Sequence, residues 1–158
     1  MTIHLNTIIL APVERVFDLC RSIDLHTLST HRTGEKAVSG RMKGLIELHE
    51  QVTWQASHLG KIRRHTSIIT AMQPPHFFED KMLHGDFKYF KHQHHFNEQN
   101  NDSTLMTDIL DFQSPYGPLG KLLDRVFMKN YLTRFLKERN EMIRHYAEGE
   151  EWKKILPS

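Results

Sequence analysis

Histidine is frequent in this chain, twelve in 158 residues, and two of them stand where spacing gives them meaning. Over 88–97 the pattern alternates: Phe90, His92, His94 and Phe96 fall on one side of a strand, and Tyr89, Lys91, Gln93 and His95 on the other. A histidine beside a carboxylate has a raised pKa and can pass a proton to or from a carbonyl compound. Two imidazoles at i and i+2 also share a face, as a metal pair requires. In so histidine-rich a chain that spacing alone assigns no metal, and none is expected.

Carboxylates to serve His92 come from three segments. In 77–84 the inward set is Phe78, Asp80, Met82 and His84. In 104–113 it is Thr104, Met106, Asp108, Leu110 and Phe112, with Leu105 and Ile109 competing for that side. In 45–57, Ile46, Leu48, Glu50, Val52, Trp54 and Ala56 alternate with polar residues, which puts Glu50 on the apolar face. Hairpin counting then sets a register. Pairing Phe96 with Thr104 places His92 opposite Asp108, and pairing His84 with Lys88 places it opposite Asp80. Pairing Ser57 with Ile62 places Glu50 opposite Ile69 but turns Arg63 and His65 inward, which counts against it. A similar count across Pro74 and Pro75 brings Ile69 near Asp80. Glu50, Asp80, His92 and Asp108 then form one polar row across an apolar face. Such a row is a satisfied buried network, or a means of orienting a ligand's hydroxyl or carbonyl, or an acid–base site built on His92.

The elements that must position these residues follow from periodicity. Residues 2–10 read as a strand. Pro12 ends it and opens a helix, with Glu14 in the first turn and Val13, Val16, Phe17 and Cys20 at helical spacing. A second short helix is expected over 22–29, capped by Ser22, with Leu25 and Leu28 inward. Six strands follow at 35–40, 45–57, 61–72, 77–84, 88–97 and 104–113. Short turns at 42–44, 58–60, 73–75, 85–86 and 98–102 make them an antiparallel meander. Ser114-Pro115-Tyr116-Gly117-Pro118 closes the sheet. The spacing then predicts a helix over 118–148, about 45 Å long, ended by Gly149. Its apolar stripe runs from Leu119, Leu122, Leu123, Val126 and Phe127 through Tyr131, Leu132, Phe135 and Leu136 to Met142, Ile143 and Tyr146. Asp124 falls on the opposite, polar face.

An apolar sheet face must be covered, and only this helix is long enough to cover it. One helix does not fill a seven-stranded, strongly bent sheet. The fold class is therefore α+β, a bent antiparallel sheet around a long C-terminal helix with two short helices after strand one and a pocket in between. Val52, Trp54, Ile69, Phe78, Met82, Phe90 and Met106 on the sheet and Phe127, Tyr131 and Phe135 on the helix are expected to wall it. Glu50, Asp80, His92, His94 and Asp108 are its expected polar groups.

Composition excludes other classes. Hydrophobic residues make up 39% and charged residues 25%, which fits one globular domain over 1–158. The net charge of +2, from 21 basic and 19 acidic residues, is too even for a nucleic-acid or membrane-surface partner. Arg63-Arg64-His65 lacks the aromatic interleaving of a nucleic-acid site. The single cysteine, Cys20, fits a reducing compartment and reads as core. Residues 1–6 lack signal-peptide character, and no apolar run reaches the ~20 residues of a membrane helix. A cytoplasmic monomer or weak dimer is expected. No glycine-rich phosphate loop or nucleophile elbow appears, and no cofactor is expected.

Several local signatures carry a family resemblance. Ala11-Pro12-Val13-Glu14-Arg15-Val16-Phe17 follows strand one, and Val52-Thr53-Trp54-Gln55-Ala56 lies mid-sheet. Gly85-Asp86-Phe87 precedes the strand bearing His92-Gln93-His94-His95-Phe96, and Pro118-Leu119-Gly120 opens the last helix. Over about residues 2–148 the chain resembles the START-like superfamily, also called the SRPBCC or polyketide cyclase/dehydrase-like group, and looks similar to a bacterial ligand-binding branch of it. The resemblance implies the helix-grip fold and a cavity for a lipid, polyketide or isoprenoid-like molecule. It implies no single activity, because relatives range from lipid carriers to aromatase/cyclases and chaperone activators. The expected function is binding of a small hydrophobic molecule. The alternatives are a cyclase, dehydratase or isomerase using His92 with Asp80 or Asp108, and a chaperone-activator-like module with a filled core and an exposed apolar patch.

Overall fold

The computed structural model describes residues 1–100 and 102–157; Asn101, inside the predicted turn at 98–102, and Ser158 lie outside it. The elements are β1 (Thr2–Ile9), α1 (Val13–Cys20), α2 (Ile23–Ser29), β2 (Lys36–Gly40), β3 (Gln51–His58), β4 (Lys61–Gln73), β5 (Phe77–His84), β6 (Tyr89–Asn100), β7 (Ser103–Gln113), α3 (Gly117–Leu123), a π-helical turn (Asp124–Met128), α4 (Lys129–Glu148) and a 3₁₀ turn (Glu151–Lys154). All seven strands form one antiparallel sheet in the order β1-β7-β6-β5-β4-β3-β2. The last six strands are the predicted meander, and β1 closes it by pairing with β7.

Local chemistry sets these elements. The Ser22 hydroxyl accepts the Leu25 N–H at 3.2 Å and caps α2. Leu59 and Gly60, both at positive φ, make the two-residue turn that leaves His58 opposite Lys61. In β7, Thr104, Met106, Asp108, Leu110 and Phe112 are all buried, so the contested face goes to the set containing Asp108. The core lies between the concave sheet face and the helices, where Phe17 meets Phe78 and Phe96 edge-on at 5.7 and 5.4 Å. Trp152, Ile155 and Leu156 of the tail dock against it.

Three expectations are corrected. Residues 45–50 are not strand: His49 has φ 68°, and β3 starts at Gln51. Leu28 is exposed rather than inward. The C-terminal helix is continuous but its first half is turned. Gly120, Asp124, Met128, Leu132, Leu136, Asn140, Ile143 and Ala147 face inward, all but half-buried Met128 fully buried. The π turn keeps every fourth residue on one side, so a stripe read at 3.6 residues per turn falls out of phase N-terminal to it. Leu119, Leu122 and Val126 are 69%, 58% and 67% exposed, and Asp124 is buried instead. Asp124 Oδ2 accepts the Ser114 N–H at 3.1 Å and braces the turn before the helix.

Candidate functional site

A cavity of about 470 Å³ lies between the sheet and α4. Ile46, Val52, Trp54, Ile69, Phe78 and Phe90 border it from the sheet side, and Tyr131, Leu132, Phe135 and Leu136 from the helix. Exposed Leu59, Tyr116 and Leu123 form its outer rim.

Its polar wall is a cluster in contiguous strands. Asp80 pairs with His92 across β5 and β6, as hairpin counting expected. Across β6 and β7 the register is two residues from the expected one: His94 faces Asp108, and His92 faces Leu110. A two-residue change keeps every side chain on its face, because the β6–β7 hairpin extends to Asn100 and Ser103 instead of ending at Phe96 and Thr104. His94, not His92, is therefore the hub. Its Nδ1 lies 2.9 Å from Asp108 Oδ1 and its Nε2 3.3 Å from Asp80 Oδ2. The ring stacks on Phe78 at 4.2 Å and lies 3.9 Å from the His92 ring. Asp108, fully buried, also accepts from Asn140 Nδ2 at 2.7 Å and sits 3.7 Å from Arg139 Nη1. Arg139 donates to the Cys20 carbonyl at 3.2 Å, with the Cys20 sulfur 3.0 Å away.

Electrostatics assigns charges to this cluster. Burial lowers the His94 pKa, but the Cys20 sulfur and hydrogen bonds to Asp108 and Asp80 outweigh it and hold the ring well above the ordinary imidazole value. Burial and the adjacent His94 charge push His92 down. Burial raises Asp108 and Asp80, but the two histidines override it and hold both carboxylates below their usual range. These directions favour a cationic His94 between two carboxylates and a neutral His92, with the Arg139 cation and the Cys20 sulfur beside them.

A second polar group borders the same cavity. The Glu35 carboxylate accepts His26 Nε2–H at 2.7 Å and lies 3.5 Å from His58 Nε2. His58 Nδ1 is then free to accept the Tyr131 phenol at 2.7 Å. The His26 ring lies over Trp54 at 4.1 Å. Burial raises the Glu35 pKa, but the two histidines hold it far below the carboxylate range.

These shifts predict a pH profile. A lowered carboxylate contributes stability above its ordinary pKa and loses it as pH falls, so Glu35, Asp80 and Asp108 weaken the fold progressively below about pH 4.5. His65 and His92, both lowered, contribute fully only above about pH 6.5. His94, raised, contributes fully below about pH 6.5 and loses that contribution as pH rises through its folded value. Urea midpoints across pH should peak near pH 6.5 and fall on the alkaline side. That alkaline limb should flatten in His94→Gln; a wild-type profile flat from neutral to alkaline pH would contradict the assignment.

Among the expected site residues, Val52, Trp54, Ile69, Phe78, Asp80, Phe90, His92, His94, Tyr131 and Phe135 border the cavity. Asp108 and Met106 are fully buried behind it. Met82 is half-buried beside Gly85, away from the cavity lining. Phe127 is 40% exposed and stacks outside on Tyr131, a consequence of the turned helix. Glu50 leaves the polar row: it is half-exposed and binds Arg41 through two hydrogen bonds of 2.7 and 2.8 Å. Ser57 does pair with Ile62, and Arg63 and His65 do border the cavity, so the objection raised against that register fails. The sequence reading missed Arg139, Glu35, His26 and His58. Arg139 had a signal, since it lies at i+3 from Leu136 and i−4 from Ile143 on the buried side of the helix.

The topology places a seven-stranded antiparallel sheet around a C-terminal helix, with two short helices between β1 and β2. The same arrangement recurs in a START superfamily protein from Mycobacterium smegmatis, 13% identical with a TM-score of 0.71 over 93% of this chain and 97% of that one. The protein has the START-like helix-grip fold. A ginseng major latex-like protein from Panax ginseng also shares it, at 16% identity and TM-score 0.69 over 94% of this chain and 98% of that one. So does an aromatase/cyclase from Streptomyces, at 12% identity and TM-score 0.67 over 92% and 94%. No family model and no curated protein matches the sequence. No helix among the described residues is long and apolar enough to cross a membrane.

Proposed function

We propose that the protein binds a small hydrophobic molecule, lipid, polyketide or isoprenoid-like, in the cavity between sheet and C-terminal helix. The observation that carries this reading is the cavity itself: about 470 Å³, with a mainly apolar surface from aliphatic and aromatic side chains and polar groups gathered at the Asp80–His94 and Glu35–His58 clusters and along its rim. The apolar body of the ligand lies against Trp54, Ile69, Phe78 and Phe135. An oxygen at its inner end meets His94 and Asp80, and one nearer Tyr131 meets the phenol. The protein acts as a cytoplasmic monomer or weak dimer. The test is a thermal-unfolding screen against fatty acids, isoprenoid quinones and aromatic polyketides. A ligand at a hundred times its Kd adds about 2.7 kcal/mol, which raises Tm by roughly 5–10 °C in a chain of this size. No shift with any class would sink the reading.

A second reading is acid–base catalysis on the same ligand. What favours it is a cationic imidazole held between two carboxylates at the cavity wall, a built proton donor. The donor in that case is His94 with Asp80 and Asp108, not His92. An interaction module calls for a filled core, and the cavity supports binding over it.

A further inference from the structure

We propose that Asp80, His92 and His94 form a site for a divalent first-row transition-metal ion, held by two imidazoles and one carboxylate. The inference goes beyond ligand binding and does not depend on it. One donor atom from each of the three residues lies within 4.8 Å of the others. His94 Nε2 and Asp80 Oδ2 are 3.3 Å apart. Metal–ligand bonds of about 2.1 Å give a tetrahedral edge of roughly 3.4 Å, so that pair already has the separation two ligands of one ion require. The other separations, within 4.8 Å, close by at most about 1.4 Å to reach that edge.

Two further features point to an ion. His92 Nε2 is buried, its near contact is Asp108 Oδ1 at 2.9 Å, and it has no hydrogen-bond partner among the described residues. An ion beside Asp80 and His94 would give a His92 nitrogen a full partner in addition to that contact. His94 Nδ1 is already engaged by Asp108, the outer carboxylate that fixes a ligating imidazole and directs its other nitrogen to the metal. On binding, the ion takes the place of the His94 Nε2 proton, which leaves to solvent. Asp80 and Asp108 offset the dication, and the opposing Arg139 is engaged by Asp108 and Cys20. Imidazole donors select Zn²⁺, Co²⁺, Fe²⁺ or Ni²⁺ over Mg²⁺ and Ca²⁺. Three protein ligands leave coordination positions open toward the cavity, where an oxygen of a bound molecule can enter.

The test uses the full chain, stripped with a chelator and titrated with Co²⁺ alone and then with Zn²⁺, without any organic ligand. The expected result is a visible d–d spectrum that saturates at one equivalent of Co²⁺ and is displaced by Zn²⁺. Affinity should fall by roughly 100-fold or more in His92→Ala and in Asp80→Asn, and His31→Ala, at an exposed position, should leave it unchanged. Asp80→Asn is isosteric, so it decides the matter if His92→Ala does not fold. No saturable spectrum, or equal affinity in wild type and Asp80→Asn, would overturn the site. Either outcome leaves the ligand-binding proposal to its own thermal test.

Discussion

Replacing Asp108 with alanine is expected to lower the unfolding free energy by about 3–5 kcal/mol, the cost of breaking a buried ion pair by deleting one partner. Asp108 is fully buried, bonds His94 and Asn140, and has nitrogens of His92 and Arg139 at 2.9 and 3.7 Å. Without it the His94 and Arg139 cations face each other in a low-dielectric interior with only Asp80 left to balance them. The Asn140 Nδ2 donor also loses its 2.7 Å acceptor and is left with the Thr7 hydroxyl at 3.1 Å. The measurement is urea unfolding at pH 6.5, read as a fall in midpoint with the slope unchanged. Asp108→Asn retains an acceptor of the same shape and should cost less. A loss under about 1 kcal/mol for Asp108→Ala would mean that the cluster is already solvated.

On the C-terminal helix, Ile143→Ala should cost about 2–5 kcal/mol while Leu122→Ala stays within about 0.5 kcal/mol of wild type. Both residues sit in the same apolar stripe of the sequence. Ile143 is 2% exposed in the main core, and Leu122 is 58% exposed. The contrast isolates the π turn at Asp124–Met128, which carries the buried face onto Gly120, Asp124 and Met128. Equal costs at the two positions would mean that α3 packs its leucines inward, contrary to the helix phase described above.

Much of the fold was legible because it rests on period-two alternation and short turns. The strand faces holding Asp80, His92, His94 and Asp108 all came out correctly, and so did the β3–β4 and β5–β6 registers. The β6–β7 register did not, since a hairpin's loop length is set by turn chemistry at residues whose side chains are uniformly polar. Glu50 misled because alternation continues through 45–50 while the backbone turns at His49. Arg63 and His65 misled in the opposite sense: turning two basic residues inward counted against the correct register, yet both border the cavity. The Glu35–His26–His58–Tyr131 group was invisible, because its members come from a helix, a loop, a strand and the last helix, with no spacing to link them. The turned first half of the C-terminal helix could not be read either, since a π turn leaves no mark in a pattern of leucines.

Native mass spectrometry of the full chain, as purified and after incubation with the lipid, quinone and polyketide panel, tests the proposed function most directly. The expected result is a one-to-one complex with a molecule small enough for a 470 Å³ cavity, formed by wild type. It should be absent from a folded Ala56→Phe variant, whose new ring occupies the space beside Trp54 and His58. A bare protein mass under every condition, or equal complex formation by the filled variant, would contradict it.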